Sequence, residues 1–331
     1  MNPTQEERFA GSIVGQALGD ALGFVVEGQS AALCRAYVED RVRPGRVAAI
    51  RRGRYPFGQY SDDTQLAREL MQSYREAGGF DPEGYARRVA AIFSEGRIVG
   101  YGGATKQAAD RLAAGVPWDE AGTPPPAAGN GSAMRAGPVG LLHADDPAML
   151  ARVAETQGRI THRDPRSSAG AVAIAGAVNI AARGEPVDHL DFLAELADLT
   201  SGVERAFREH LERLSGWVSL EPREAAGHIS RVGIEKDAAE GWDEITPFVI
   251  PSVLWSLYSF LRTPDSFLQT VSTAIAVGGD VDTTAAMAGA ISGARVGLAG
   301  LPEKLARRVN DNGSWHAEDL AQLARECSAL G

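Results

Sequence analysis

Apolar residues recur along most of this chain every three or four positions, the spacing that gives an α-helix one buried stripe. Thr4 followed by Glu7 forms a capping box, and Phe9, Ile13 and Ala17 continue an apolar face, so a first helix is expected to run to about Gly23. Further helices are predicted over Thr64–Ala77, Pro82–Ser94, Thr105–Ala114, Pro147–Gln157, Ser167–Ala182, Leu190–Leu199, Val203–Leu214, Pro222–Ser230, Thr246–Leu261, Pro264–Val277, the stretch after Thr283, and Glu318–Ala329. Their starts are rich in Thr, Ser, Asp and Pro, residues that satisfy or tolerate the free N–H groups of a first turn. Alternating runs of strand length are scarce. Val47–Arg51 is the best candidate strand, and the expected class is all-α.

A second pattern is laid over the first. Gly11, Gly15, Gly19 and Gly23 stand at strict i, i+4 spacing on one face of the first helix. Each glycine costs a helix interior about 1 kcal/mol against alanine, so a row of four implies that another backbone must come close. The helix after Thr283 repeats the device with Ala285, Gly289, Gly293 and Gly297. These two helices are expected to pack tightly at the centre. The segment Ser167–Ala182 either completes that centre or is an ordinary alanine-rich helix. Gly115 to Gly131 is the longest irregular stretch, and no linker separates two cores, so residues 1–331 are read as one domain.

Composition narrows the classes of function. With 44% hydrophobic and 23% charged residues over 331 positions, the chain can bury a large core and does not have the profile of a disordered protein. A formal charge of −10 argues against general affinity for nucleic acid phosphates, though not against a small anionic ligand bridged by metal ions. Cys34 and Cys327 are too few for a disulfide framework or a thiolate metal site, which fits a reducing cytoplasm. The polar N-terminus lacks the layout of a signal peptide, and no apolar run has the length of a membrane span. A cytoplasmic monomer without membrane partners is the default expectation.

Two acidic clusters carry the candidate chemistry: Ser61-Asp62-Asp63-Thr64, and Gly279-Asp280-Val281-Asp282-Thr283-Thr284. Ser, Thr and Asp are preferred helix caps, and acids in a first turn are favoured by the helix dipole, so either cluster alone reads as a cap. A cap needs one oxygen, however, and each cluster offers several. Like charges crowded in one buried place are costly without a cation. Carboxylate and hydroxyl donors with no sulfur or imidazole suit a hard cation such as Mg2+ or Mn2+.

Five segments, in order, give the chain a resemblance to the ADP-ribosylglycohydrolase family, the group that includes the dinitrogenase-reductase-activating glycohydrolase and the ARH-type ADP-ribosylhydrolases. They are Gly15-Gln16-Ala17-Leu18-Gly19-Asp20-Ala21-Leu22-Gly23 continuing to Glu27; Ser61-Asp62-Asp63-Thr64; Gly100-Tyr101-Gly102-Gly103-Ala104-Thr105; Gly129-Asn130-Gly131-Ser132-Ala133-Met134-Arg135; and Gly278-Gly279-Asp280-Val281-Asp282-Thr283. Thr161-His162 adds a weaker sixth. The resemblance implies a single-domain orthogonal helical bundle with a central cleft holding two Mg2+ or Mn2+ ions. It implies metal ligands at Ser61, Asp62, Asp63, Asp280, Asp282 and Thr283, and catalytic roles for Glu27, Asp62 and Asp282. The implied substrate contacts are Gly100, Tyr101, Gly102, Gly103, Asn130, Gly131, Ser132, Met134 and His162, with the glycine-rich loops offering N–H groups to a pyrophosphate. His162 either contacts substrate or only caps and orients the next helix.

The activity so implied is hydrolysis of the N- or O-glycosidic bond between ADP-ribose and an acceptor on a protein or a small conjugate. The alternative is a member of the same fold that binds ADP-ribose, or nothing, without turnover; intact acids in both clusters and at Glu27 weigh against it. A dinuclear phosphohydrolase is a third reading, disfavoured by the absence of histidine from both clusters.

Overall fold

In the computed structural model, which describes residues 3–234 and 244–330, helices account for nearly all regular structure. The capping box is present. Thr4 Oγ1 accepts from the Glu7 N–H at 3.2 Å, the Glu7 carboxylate accepts from the Thr4 N–H at 2.8 Å, and the first helix runs Gln5–Phe24.

The glycine row explains why this helix is buried along almost its whole length. It packs antiparallel on the helix Val281–Val296, glycine against glycine. A β-carbon added at Gly11 would stand 2.4 Å from the Gly293 carbonyl oxygen, and one at Gly15 would stand 2.6 Å from that of Gly289. Side chains close the seam where backbones separate: Ser12 Oγ donates to the Ala290 carbonyl at 3.0 Å, and Arg8 donates to the carbonyls of Ala294 and Arg295. The antiparallel sense has a functional consequence. It sets the C-terminal end of the first helix, and Glu27 just beyond it, against the start of the second, where Asp280 and Asp282 lie.

The helix Pro165–Ala182 is buried on nearly every face and packs on Val281–Val296, so the alanine-rich segment does complete the centre. Around this core the helix Asp62–Ala77 lies against the first helix and the C-terminal helix Ala317–Ser328. The helix Val249–Arg262 covers the other side. Buried apolar side chains from Phe9 to Cys327 form one contiguous cluster. Among the described residues no helix is long and apolar enough to cross a membrane.

The predicted helices are all present, with ends shifted by a turn or less. Two starts moved toward the acids: the early helix begins at Asp62, because Ser61 is its cap, and the late one at Val281. The predicted strand Val47–Arg51 is a correction. Val47 to Ile50 is a turn closed by Ile50 N–H to Val47 C=O at 3.0 Å, both side chains face the core, and the only paired strands described are Arg51–Arg52 and Tyr55–Pro56. Its apolar spacing served burial rather than pairing. Helices at Ala31–Tyr37, Trp118–Ala121, Gly137–Leu142 and Glu303–Ala306 had no periodic signal, since each is too short to repeat a stripe.

Candidate active site

The early acids are fastened to the first helix by Asp20. Its fully buried carboxylate accepts from the N–H groups of Ser61 at 2.8 Å and Thr64 at 3.1 Å, and from the Thr64 hydroxyl at 2.7 Å. Two free backbone donors of a helix start are thereby satisfied by an acid forty residues away, and the positive end of the helix dipole meets negative charge. Gln16, one turn earlier, donates to the carbonyls of Asp63 at 2.9 Å and Met134 at 3.0 Å, joining the early cluster to the glycine-rich loop. Ser61 Oγ donates to Asp63 Oδ2 at 2.8 Å, while Asp63 Oδ1 is buried without a hydrogen-bond partner.

The late acids hang on a turn that only glycine can make. Gly278 and Gly279 take φ of 81° and 84°, and β-carbons there would run into Ala31 N at 2.5 Å and Ile245 O at 2.2 Å. Gly279 exchanges backbone hydrogen bonds with the Glu27 loop, Gly28 N–H to Gly279 C=O at 2.8 Å and Gly279 N–H to Gln29 C=O at 3.1 Å. Asp280 Oδ2 accepts from Asn130 Nδ2 at 2.6 Å, and the same nitrogen donates to Ser252 Oγ at 2.8 Å. Oxygens of Glu27, Asp280 and Asp282 come within 4.8 Å of one another. Glu27 is half-buried and paired with Arg52.

Both clusters open into one cavity of about 360 Å³. Its lining contains Glu27, Asp62, Asp63, Asp280, Asp282 and Thr283 on one side, and residues 100–105, Gly129, Asn130, Gly131, Met134, His162 and Pro247 around the rest. Burial pushes the carboxyls of Asp62, Asp63 and Asp282 well above their usual range, with neighbouring acids adding to it. Burial likewise raises Asp280 to about 6 and Asp20 to about 7. Among the described residues no arginine or lysine forms a salt bridge with any of these five; Arg52 reaches only Glu27. Divalent cations would compensate such a group of oxygens, and the partnerless Asp63 Oδ1 is an available ligand atom for one.

Tyr101 stands half-exposed at the rim, edge-on to Phe93 with ring centroids 5.2 Å apart. His162 backs the glycine loop: its ring atoms lie so close to Gly129 and Gly131 that a β-carbon at Gly131 would meet Cε1 at 2.7 Å. Burial lowers its pKa to about 3, so the imidazole is neutral, and Nδ1 lies 2.9 Å from Thr161 Oγ1. Two expected contacts sit behind the wall instead. Ser132 Oγ donates to the Ser167 carbonyl at 2.8 Å, and Ser61 is fully buried with its hydroxyl committed to Asp63.

Several residues at the site carried no assigned role in the sequence. Asp20 had a signal: with Ser12 and Gln16 it makes a polar row at i, i+4, i+8 in a helix otherwise apolar and glycine past its first turn. Arg135, inside the Gly129 segment, is fully buried and donates to Gln157 Oε1, the Gln157 carbonyl and Thr161 Oγ1 at 2.8, 2.9 and 2.8 Å, bracing the hydroxyl that meets His162. Gln65 accepts the Val99 N–H at 2.8 Å and donates to Asp311 Oδ1 at 2.9 Å, tying the loop before Gly100 to the C-terminal region. For Arg52 and Gln65 nothing local in the sequence gives a signal.

A family model described as ADP-ribosylglycohydrolase matches residues 1–331. An ADP-ribosylhydrolase ARH3 from Xenopus tropicalis is 30% identical over 95% of this chain and 94% of its own. The ADP-ribosylarginine hydrolase Tri1 of Pseudomonas putida (strain GB-1) is 26% identical over 96% of this chain and 77% of its own. A solved structure titled ADP-ribosylglycohydrolase-related protein complex superposes with a TM-score of 0.73 and 26% identity, covering 98% of both chains.

Proposed function

Because the chain belongs to the ADP-ribosylglycohydrolase family, we propose that it is a metal-dependent hydrolase that cleaves the bond between the distal ribose of ADP-ribose and a nitrogen or oxygen of an acceptor. The observation that carries this reading is the convergence of the Asp62-Asp63 and Asp280-Asp282 pairs, with Glu27, on one cavity walled by glycine-rich loops. The relatives named above act on ADP-ribosyl linkages, one of them on ADP-ribosylarginine, which supports the substrate class and leaves the acceptor to experiment.

In this reading Asp62, Asp63, Asp280, Asp282 and Thr283 hold two Mg2+ or Mn2+ ions, with Ser61 fixing Asp63 rather than binding metal directly. When bound, such cations orient ribose hydroxyls and water and stabilise negative charge on oxygen. Glu27 takes a proton from water as the new carbon–oxygen bond forms and the ribose–acceptor bond breaks, and that proton is passed on to the departing nitrogen or oxygen. Arg52 holds the Glu27 side chain through their ion pair. N–H groups of residues 100–103, Gly129 and Gly131 receive the pyrophosphate, that of Asn130 being donated to the Pro247 carbonyl at 3.0 Å. Asn130 orients Asp280, and neutral His162 supports the loop from behind. Residues 1–331 act as one catalytic unit.

The test is release of free ADP-ribose from arginine- and serine-linked ADP-ribosyl peptides, followed by chromatography with Mg2+ and with EDTA. Metal-dependent release from either linkage is expected. Tight ADP-ribose binding without release from any conjugate would replace this proposal with that of a non-catalytic binder.

A further inference from the structure

Residues 41–60 contain six arginines and no aspartate, glutamate or lysine, in a chain whose net charge is −10. Two of the six are used within the fold: Arg43 pairs with Glu39 at 2.9 Å, and Arg52 with Glu27. The other four, Arg41, Arg46, Arg51 and Arg54, are exposed and meet no carboxylate among the described residues. Arg51 donates only to the Arg54 carbonyl at 3.4 Å, and Arg54 lies over the Tyr55 ring with its centroid 4.9 Å away. In a protein with a large surplus of acids, uncompensated cations gathered in one strip are an unusual distribution of charge.

The strip is anchored at the edge of the cavity. The hairpin Arg51–Pro56 sits on the end of the first helix through Arg52, whose guanidinium lies 4.4 Å from the Phe24 ring centroid and donates to the Phe24 carbonyl at 2.7 Å. Tyr55 meets the same ring edge-on at 5.8 Å. Three residues beyond Phe24, Glu27 lines the cavity beside Asp280 and Asp282. Arg51 and Arg54, carried on this hairpin, thus flank the side of the cavity where, in the reading above, the ribose–acceptor bond is cut.

We propose that this strip binds an acidic segment of the polypeptide carrying the ADP-ribosyl group, so that preferred substrates have Asp and Glu flanking the modified side chain. The inference rests on the proposed hydrolase activity. A short acidic peptide fits the observations better than a nucleic acid. Charges on a segment lying on the strip, within about 8 Å or one Debye length at physiological salt, are attracted chiefly by it. A long polyanion would also overlie the acidic remainder of the surface and be repelled there.

Two measurements separate the surface from the chemistry. The first is fluorescence anisotropy of a labelled, unmodified acidic dodecapeptide, and of its serine-substituted counterpart, on the wild type and on R46E/R51E/R54E. The second is steady-state hydrolysis by both proteins of ADP-ribosyl peptides with acidic or neutral flanks and of a small conjugate without flanks. Expected are binding of the acidic peptide that weakens about tenfold in the triple variant and fades with added salt, and a KM advantage of acidic flanks of similar size that the variant loses. Turnover of the small conjugate should be equal in the two proteins. Equal KM for acidic and neutral flanks, or equal peptide binding by both proteins, overturns the proposal. So does tighter binding of an oligonucleotide than of the peptide through the same arginines. Acidic-peptide binding that depends on the arginines, with no hydrolysis of any conjugate, supports the docking surface and rejects the hydrolase reading instead.

Discussion

A β-carbon on Gly289 would stand 2.4 Å from the carbonyl oxygen of Gly15. With the like approaches at Gly11, Gly19, Gly23 and Gly293, this one sets how near the two central helices come, and through them how near Glu27 lies to Asp280 and Asp282. Alanine at 289 gains about 1 kcal/mol of helix propensity but must push a buried backbone away, and the steric cost is the larger. G289A should lose about 2 kcal/mol or more in urea unfolding, and Gly289→Leu more still. Gly227, in the exposed helix Pro222–Ile229 with nothing within 4 Å of a β-carbon, is the control: G227A should gain about 0.5–1 kcal/mol. Equal effects at the two sites would remove the close-packed seam from the account.

Neutralising a buried acid should have opposite effects with and without metal. In EDTA, Asp62→Asn or Asp282→Asn relieves repulsion among buried carboxylates, and a stabilisation of about 1 kcal/mol over the wild type is expected. With Mg2+ at a hundred times its Kd, the wild type gains about 2.7 kcal/mol and the variants little or none. Turnover should vanish in both variants while their circular dichroism stays helical. Thermal melts in the two buffers read this directly; a Mg2+ shift retained in D282N would take Asp282 out of the ligand set.

His162 makes stability depend on pH with a definite sign. Its folded pKa is depressed to about 3 by burial, below the ordinary value of about 6.5 in the unfolded chain. Below pH 6.5 the unfolded chain takes up a proton that the folded one refuses, so this contribution is full above 6.5 and is lost as pH falls, at up to about 1.4 kcal/mol per pH unit. Asp280 and Asp20, raised to about 6 and 7, act oppositely: their contribution is greatest at low pH and declines as pH rises through those values. Comparing His162→Gln with the wild type between pH 6.5 and 4.5 cancels the acids. The variant should show the shallower loss on acidification, and parallel curves would mean that the imidazole is not buried.

Gln65 should matter to substrate affinity more than to chemistry. Gln65→Leu frees the Val99 N–H beside Gly100 and removes the bond to Asp311. A stability loss of about 2 kcal/mol and a KM about tenfold higher, with kcat nearly kept, are expected if the loop before Gly100 positions ADP-ribose. A fall in kcat at constant KM would instead place the effect on the Asp62 helix that carries Gln65.

Much of this protein is legible in its sequence because the signals are local. Helices declare themselves by a stripe of three-to-four spacing, the central seam by glycines at i, i+4, and the acid pairs by standing at helix starts. What the sequence could not determine is which distant group each polar side chain meets. Ser61 and Ser132 resemble cavity residues in their motifs, yet both hydroxyls are spent on buried neighbours, Asp63 and the Ser167 carbonyl. Asp20 caps a helix forty residues away, Asn130 holds Asp280 across 150 positions, and Arg52 pairs with Glu27 from a hairpin too short to show a pattern. Periodicity records how a segment buries its own surface. Hydrogen bonds and ion pairs between segments depend on where the packed helices bring them, and that was decided only by the tertiary structure.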